Sequence, residues 1–426
     1  MIMDEKIREV ALNSNQAEEY ELIEISEGIR LHYFIENRFS TNFISVVWSV
    51  PAQRKTATKI ALLAECLKLG KSGDRAALDK MLSQMYGANF DASIIQKGGI
   101  QLLALNMECV TDKAAGEKLF KHAVDLVKSM MDEKISEKTL NTAKIRLKTA
   151  IEQKEDSTAQ VAVERLIDVV YSEDALSVHC DGYIEDIQEI SLSDINAAFS
   201  NLKSKSPMDI FISGEIERDI ALKTAKSFIS RREEFLPLPE DEQKISAGSA
   251  EKSEERSIGQ SRIAVAYKTS LSPFGKDWCV AMVLKEVLCG AGGSVLYNNI
   301  RQKEGLCYYI GGRILRFRMM FIIDAGVGKG SEEHTASLIE ESIKNCKIEQ
   351  EQFAKAKKAV LRDEKFTYDR RTGKINEAIN NMLLGITEEP QIEKDMDSVT
   401  ISDVQEALSG LVRKGVFILY AEKEEN

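Results

Sequence analysis

The sequence predicts an α+β protein built from two homologous halves, each an antiparallel or mixed sheet covered by helices on one face. Three observations predict it. Segments before residue 230 return in the same order after residue 260. Strand-like runs lie next to one another, as at Leu31–Glu36 and Ile44–Val50, instead of alternating with single helices. Between the repeats lies "RREEFLPLPEDEQKISAGSAEKSEERSIGQ", rich in charge and small residues, with few apolar anchors.

Taken in order, the repeats match element by element. The first is a strand end, a polar turn and an amphipathic helix, "MECVTDKAAGEKLFKHAVDLVKSMM" (107–131), answered by "DAGVGKGSEEHTASLIEESIKNC" (324–346). Long helices follow in both places, "SEKTLNTAKIRLKTAIEQKED" (136–156) and "EQEQFAKAKKAVLRDEKFTYD" (349–369). Last come "SLSDINAAFSNLKSKSPMDIFISG" (191–214) and "TISDVQEALSGLVRKGVFILYAE" (400–422), each a Ser/Thr–Asp cap, a short helix, a polar loop and an apolar strand. Three loose matches in one order indicate an internal duplication. The expected domains are an N-terminal half at 1–230, a linker at 231–260 and a C-terminal half at 261–426.

Composition excludes several classes. A net charge of −11 over 426 residues, without a Lys/Arg run, argues against nucleic acid. No window approaches the roughly 18 apolar residues of a membrane span. The N-terminus "MIMDEKIREV" lacks a secretory layout, so a cytoplasmic location is expected. Seven scattered cysteines without a C-x-x-C pair read as reduced thiols, and four isolated histidines supply no local metal site.

Two stretches could carry chemistry. In "IALLAECLKLG" (60–70), Ile60, Leu63, Ala64 and Leu67 form one apolar helical stripe, and Leu62, Cys66 and Leu69 a second. Glu65 is a lone carboxylate on this helix, with Lys68 as the nearby partner; Asp74, Arg75 and Asp79 beyond it read as a solvated face. The other stretch is "GAGGSVLYNNIRQKEGLCYYI" (290–310): a glycine-rich turn, a helix ending near Arg301, Gly305 as its stop, and a strand opening at "LCYYI". It lacks a phosphate-loop pattern, so the glycines read as packing residues. On a regular strand Tyr308 and Tyr309 would face opposite sides.

The run from Ser294 through Arg301, Gly305, Leu306 and Tyr308 resembles the C-terminal half of the pitrilysin/insulinase family of inverted zincins, in which Arg and Tyr are seven positions apart. The resemblance extends over nearly the whole chain, and "MDIFISGEIER" is similar to the bacterial cytoplasmic branch. It implies a clam-like shell, with Arg301 and Tyr308 as substrate-binding residues that support the transition state. A cation and a phenol aimed at a developing oxyanion stabilise it strongly in a dry site. Active members of the family carry H-x-x-E-H on a first-half helix, two zinc ligands flanking a general base. At those positions this chain has Leu62, Glu65 and Cys66, and the later helix offers only a displaced Glu152 as third ligand. The resemblance thus implies no catalytic residues in this helix, no metal in this chain, and zinc in a partner.

The expected role is a non-catalytic, Arg/Tyr-supplying subunit of a heterodimeric zinc metallopeptidase. Its partners would be an H-x-x-E-H subunit, or a second copy in a homodimer, and an unfolded peptide, with no nucleic acid and no membrane. Two alternatives stand beside it: an inactive scaffold without a role in proteolysis, and an autonomous peptidase with an atypical site built on Glu65, Cys66 and Glu152.

Overall fold

The computed structural model describes residues 9–12 (backbone), 20–70, 73–132, 134–229, 234–245, 250–290, 292–386 and 391–422. The acidic N-terminal run 1–8, parts of the expected linker (231–233 and 246–249) and Ala291 of the glycine-rich turn lie outside the described residues.

The chain forms two compact units: 1–152 with 178–241, and 153–177 with 242–426. The first unit holds strands β1 (Glu9–Leu12), β2 (Tyr20–Ser26), β3 (Ile29–Ile35), β4 (Thr41–Pro51), β5 (Asn89–Lys97), β6 (Ile100–Val110) and β7 (Met208–Gly214). The helices up to residue 227 are α1 (Arg54–Leu69), α2 (Arg75–Gln84), α3 (Asp112–Ala115), α4 (Leu119–Asp132), α5 (Glu137–Lys154), α6 (Thr158–Val170), α7 (Ile184–Ile187), α8 (Leu192–Lys205) and α9 (Arg218–Ser227). The second unit adds strands β8 (Ala250–Arg256), β9 (Ser261–Lys268), β10 (Cys307–Leu315), β11 (Met320–Val327) and β12 (Val412–Ala421). Its helices are α10 (Gly275–Cys289), α11 (Glu332–Lys344), α12 (Gln350–Tyr368), α13 (Arg371–Leu383), α14 (Ile392–Ser398) and α15 (Ile401–Ser409).

The duplication is explicit in the strand order. The first sheet runs β1-β2-β3-β7-β4-β6-β5 and the second β10-β11-β9-β12-β8. Read from the opposite edge, the second repeats the run β3-β7-β4-β6-β5 of the first, without the added β1 and β2. The sense of each pairing matches too: β3–β7 and β8–β12 are parallel, and the other pairs among these five strands are antiparallel. The last repeat is equally close, since α8 and α15 both open with a capping box, Ser191 with Asp194 and Thr400 with Asp403.

The units depart from the expected domains at two places. β8 lies inside the segment read as a linker. Its "AEKSEER" sequence looks like a solvated run because β8 is an edge strand, and a charged edge resists pairing with other chains. More consequential is α6, which lies well before the expected boundary yet packs with the second unit. Its Val161, Ala162, Val163, Leu166 and Val170 pack against Ala264, Ala266, Met320, Ile322, Phe417 and Leu419. The opposite face of that sheet, including Ile263, Val265 and Ile323, packs with residues of α10, α11, α12, α14 and α15. The second sheet is thus covered on both faces. Gly415 permits the close approach: a Cβ there would stand 2.6 Å from Val170 Cγ2. Arg318 secures the same segment through Asp174 (2.7 Å), a pair with both side chains almost fully buried.

The first sheet differs on its corresponding face. Leu31, Val46 and Ile210 point into the helical core, whereas His32, Ser45 and Asp209 alternate to the other side, all buried. Ser45 donates to Asn106 Oδ1 (2.8 Å), and a polar chain satisfies His32 and Asp209. Tyr20 lies 2.9 Å from His32 Nδ1, His32 Nε2 lies 3.0 Å from Asp209, and Arg30 donates twice to Asp209 (2.7 and 3.1 Å). Burial pushes the His32 pKa down against the opposing pull of Asp209. Burial alone would raise Asp209, but its hydrogen bonds and charges from His32 and Arg30 hold it low. A neutral imidazole that accepts from the tyrosine hydroxyl and donates to the carboxylate satisfies every group.

Candidate functional site

The helix singled out from the sequence is α1. Gly70, at φ +71°, ends it. Leu62, Leu63 and Cys66 are all buried, as its two apolar stripes require. Glu65 is buried with them at 8 % exposure and does not lie on the solvated surface. Lys68 is its partner at 2.6 Å through Oε1, and a second cation reaches the other oxygen: Arg146 Nε of α5, 3.4 Å from Oε2. Both oxygens of the lone carboxylate are therefore ion-paired.

Tested against a zinc ion, these residues do not fit. Leu62 offers no donor atom. Burial, and then the Glu65 charge, push the Cys66 thiol up to about 12, which keeps it protonated, whereas zinc binds the thiolate. Glu152 is half-exposed and pairs with Lys148 on its own helix at 3.6 Å. Among the described residues no three His, Cys, Asp or Glu side chains converge as a metal site. Beyond the helix, Asp74 caps α2 and Arg75 pairs with Asp79 at 2.7 Å, an ordinary surface arrangement.

The second stretch folds differently from a plain helix and strand. After Gly293 at φ +113°, the chain winds through a π-helical turn over Tyr297–Lys303. A π-turn carries one more residue than an α-turn and re-aims the side chains that follow. Ile300 points into the core, while Arg301 is exposed, its guanidinium 5.3 Å from the Tyr297 ring centre. Gly305, at φ +66°, reverses the chain, and Leu306 N–H bonds back to the Ile300 carbonyl.

The strand that follows opens with a bulge. Cys307 pairs with Val327 and Tyr309 with Gly326, which leaves Tyr308 as the extra residue. The expected alternation of the two tyrosines is broken there, so both are exposed while Cys307 and Ile310 are buried. They remain distinguishable. Tyr309 lies over Gly311, and burial together with Asp324 raises its pKa. Tyr308 is 70 % exposed, and its hydroxyl has no hydrogen-bond partner among the described residues. Arg301 and Tyr308 are thus held by a π-turn and a bulge on either side of one glycine, with a guanidinium and a phenol both available to a ligand's oxygen.

Sequence reading missed Arg146, which lies 81 positions from Glu65 on another helix. It also passed over His32, whose partners Tyr20 and Asp209 come from two other strands.

Residues 189–360 match the family model described as the peptidase M16 inactive domain. Among curated proteins, the chain is 22 % identical over 353 residues to the "probable inactive metalloprotease YmfF" of Bacillus subtilis, covering 79 % of this chain and 82 % of that one. Among solved structures, a conserved protein from Enterococcus faecalis superposes with a TM-score of 0.85 at 21 % identity, over 96 % of this chain and all of that one. A peptidase M16 inactive domain from Pseudomonas fluorescens gives a TM-score of 0.76 at 16 % identity, over 96 % and 99 % of the two chains. What the chain is similar to is thus the peptidase M16 inactive domain, and where the pitrilysin/insulinase resemblance places H-x-x-E-H it has Leu62, Glu65 and Cys66 on a helix whose carboxylate is ion-paired.

Proposed function

We propose that this chain is the Arg/Tyr-supplying, non-catalytic subunit of a zinc metallopeptidase whose metal is carried by a homologous H-x-x-E-H partner. The observation that carries the reading is an asymmetry between two stretches of one chain. Glu65, at the general-base position, has both oxygens bound by Lys68 and Arg146. Arg301 and Tyr308 stay exposed, positioned by a π-turn and a bulge, two irregularities that recur at functional sites.

In this role the substrate is an unfolded peptide. β10, which begins just before Tyr308, is an edge strand, and an extended peptide adds to such an edge through main-chain hydrogen bonds. Arg301 and Tyr308 then donate to the carbonyl oxygen as charge develops on it, while the partner supplies the attacking water.

The test is to purify the chain alone, the H-x-x-E-H sibling alone, and the two together, and to measure cleavage of a quenched fluorescent peptide. The reading expects activity in the mixture only, with the two chains co-eluting. A sibling that is fully active alone and gains nothing from this chain would leave the scaffold reading in its place.

A further inference from the structure

A cleft of about 810 Å³ opens in the first unit where β3 and β7 end and α9 begins, and it contains none of the residues assigned above. Its wall is largely apolar, formed by Tyr33, Ile35, Phe120, Ile216 and Ile220. The Tyr33 hydroxyl donates to the Ile216 carbonyl and so fixes the segment after β7 as one side. Ile220 is 46 % exposed on a helix whose buried face is Ala221, Thr224 and Ala225, an apolar side chain left open at the cleft.

The polar lining has an excess of acceptors. Glu21, Asp112, Glu215 and Glu217 face two cations, Lys113 and Arg218. Arg218 grips Glu21 (Nε to Oε2, 2.8 Å), and Lys113 lies 3.7 Å from Glu215. Asp112 accepts from the Phe120 N–H, yet neither it nor Glu217 has a cation partner among the described residues. Asn42 adds a buried side-chain oxygen without a hydrogen-bond partner. That oxygen lies over Gly214, where a Cβ would come within 2.2 Å of it. Apolar walls, two carboxylates without counterions and one unfilled acceptor call for a ligand that carries donors, positive charge and an aliphatic stem.

We propose that this cleft binds an organic cation, a guanidinium or primary ammonium on an aliphatic stem. Such a group comes from a free alkylamine or from an arginine or lysine side chain of a peptide. The proposal is independent of any peptidase partner, because the cleft is lined by the first unit alone.

The experiment titrates the full chain with butylguanidinium, with butylurea as the neutral isostere, and with a capped Leu-Arg-Leu tripeptide, followed by calorimetry. The expected result is saturable one-to-one binding of butylguanidinium, weakened by salt and about tenfold tighter than butylurea, as a charged donor facing carboxylates requires. Glu217→Gln, on an exposed position, weakens it about threefold, the scale of one exposed ion pair, with the urea unfolding midpoint unchanged. Tripeptide binding tighter than butylguanidinium assigns the cation to a peptide; weaker binding assigns it to a free amine. Equal binding of butylurea, no saturable binding of either cation, or no effect of Glu217→Gln overturns the proposal.

Discussion

Arg146 Nε of α5 lies 3.4 Å from Glu65 Oε2 of α1, on the helix where the family resemblance looks for a third zinc ligand. A cation therefore fills the electrostatic role that a metal would otherwise have beside this carboxylate. At the position where the resemblance places the zinc helix, α1 thus lacks the ligands and also has its carboxylate ion-paired, so restoring the ligands alone is expected to be insufficient.

Leu62→His with Cys66→His is expected to leave the purified chain with far less than stoichiometric zinc, because Arg146 keeps its charge against Glu65. Adding Arg146→Glu removes that charge and supplies a carboxylate, so zinc occupancy is expected to rise at least about tenfold, the factor that one stabilising interaction of ~1.4 kcal/mol gives. Metal analysis after dialysis reads both. Stoichiometric zinc in the double variant would show that Arg146 is no obstacle.

For stability, the same pair predicts an asymmetry. Glu65→Ala strands two cations, but Lys68 and Arg146 are partly exposed and can turn to water, so the cost is about 1–2 kcal/mol. Glu65→Leu fills the apolar stripe and is expected within about 1 kcal/mol of the parent, since its burial offsets the lost pairs and the partly exposed Lys68 and Arg146 turn to water. Urea denaturation checks both. A loss for Leu as large as that for Ala would mean that the carboxylate itself, and not its volume, holds α1 to α5.

Arg318 and Asp174 predict the opposite scale. Their 2.7 Å pair is buried on both sides and fastens the 153–177 segment, so Arg318→Ala is expected to cost about 3–5 kcal/mol by leaving Asp174 unpaired. Limited proteolysis should then cut within 153–177 before any other region. A variant as protease-resistant as the parent would show that α6 packing alone holds the segment.

The His32 chain predicts a loss of stability in acid. Its folded pKa is lowered below the ordinary 6.5, so the unfolded chain takes up a proton first. The stability contributed by the neutral ring is complete above pH 6.5 and is lost as pH falls toward the folded value. Asp209 is also lowered, and its share is lost only further down, below the ordinary carboxylate value of 3.8. His32→Gln keeps an amide donor and acceptor but cannot titrate, so the urea midpoint should fall less between about pH 7.5 and pH 5.5 than in the parent. An unchanged pH slope would place the acid sensitivity elsewhere.

The duplicated plan was legible because it is written in local chemistry. The caps at Ser191 and Thr400, the paired long helices and the apolar strands after each polar loop are all set by residues within a few positions of one another. What escaped depends on partners distant in sequence. The pattern of α6 marks a buried helix but does not say which sheet buries it, and only the fold brings Gly415 under Val170. The π-turn before Gly305 and the bulge at Tyr308 each hinge on a single extra residue, which leaves no periodic trace. Glu65 was legible as an anomaly, but its second cation was not.

The central claim is that Arg301 and Tyr308 act on a substrate cleaved by a partner's metal. The most direct measurement is kcat and KM of the reconstituted pair carrying Tyr308→Phe or Arg301→Ala in this chain, with Tyr309→Phe as the control on the same strand. The account predicts a loss of about 10²-fold or more in kcat for Tyr308→Phe and for Arg301→Ala, as expected for donors that stabilise a developing oxyanion. It predicts little change for Tyr309→Phe. Unchanged kcat in both the Tyr308 and Arg301 variants, in a pair that still assembles, would contradict it.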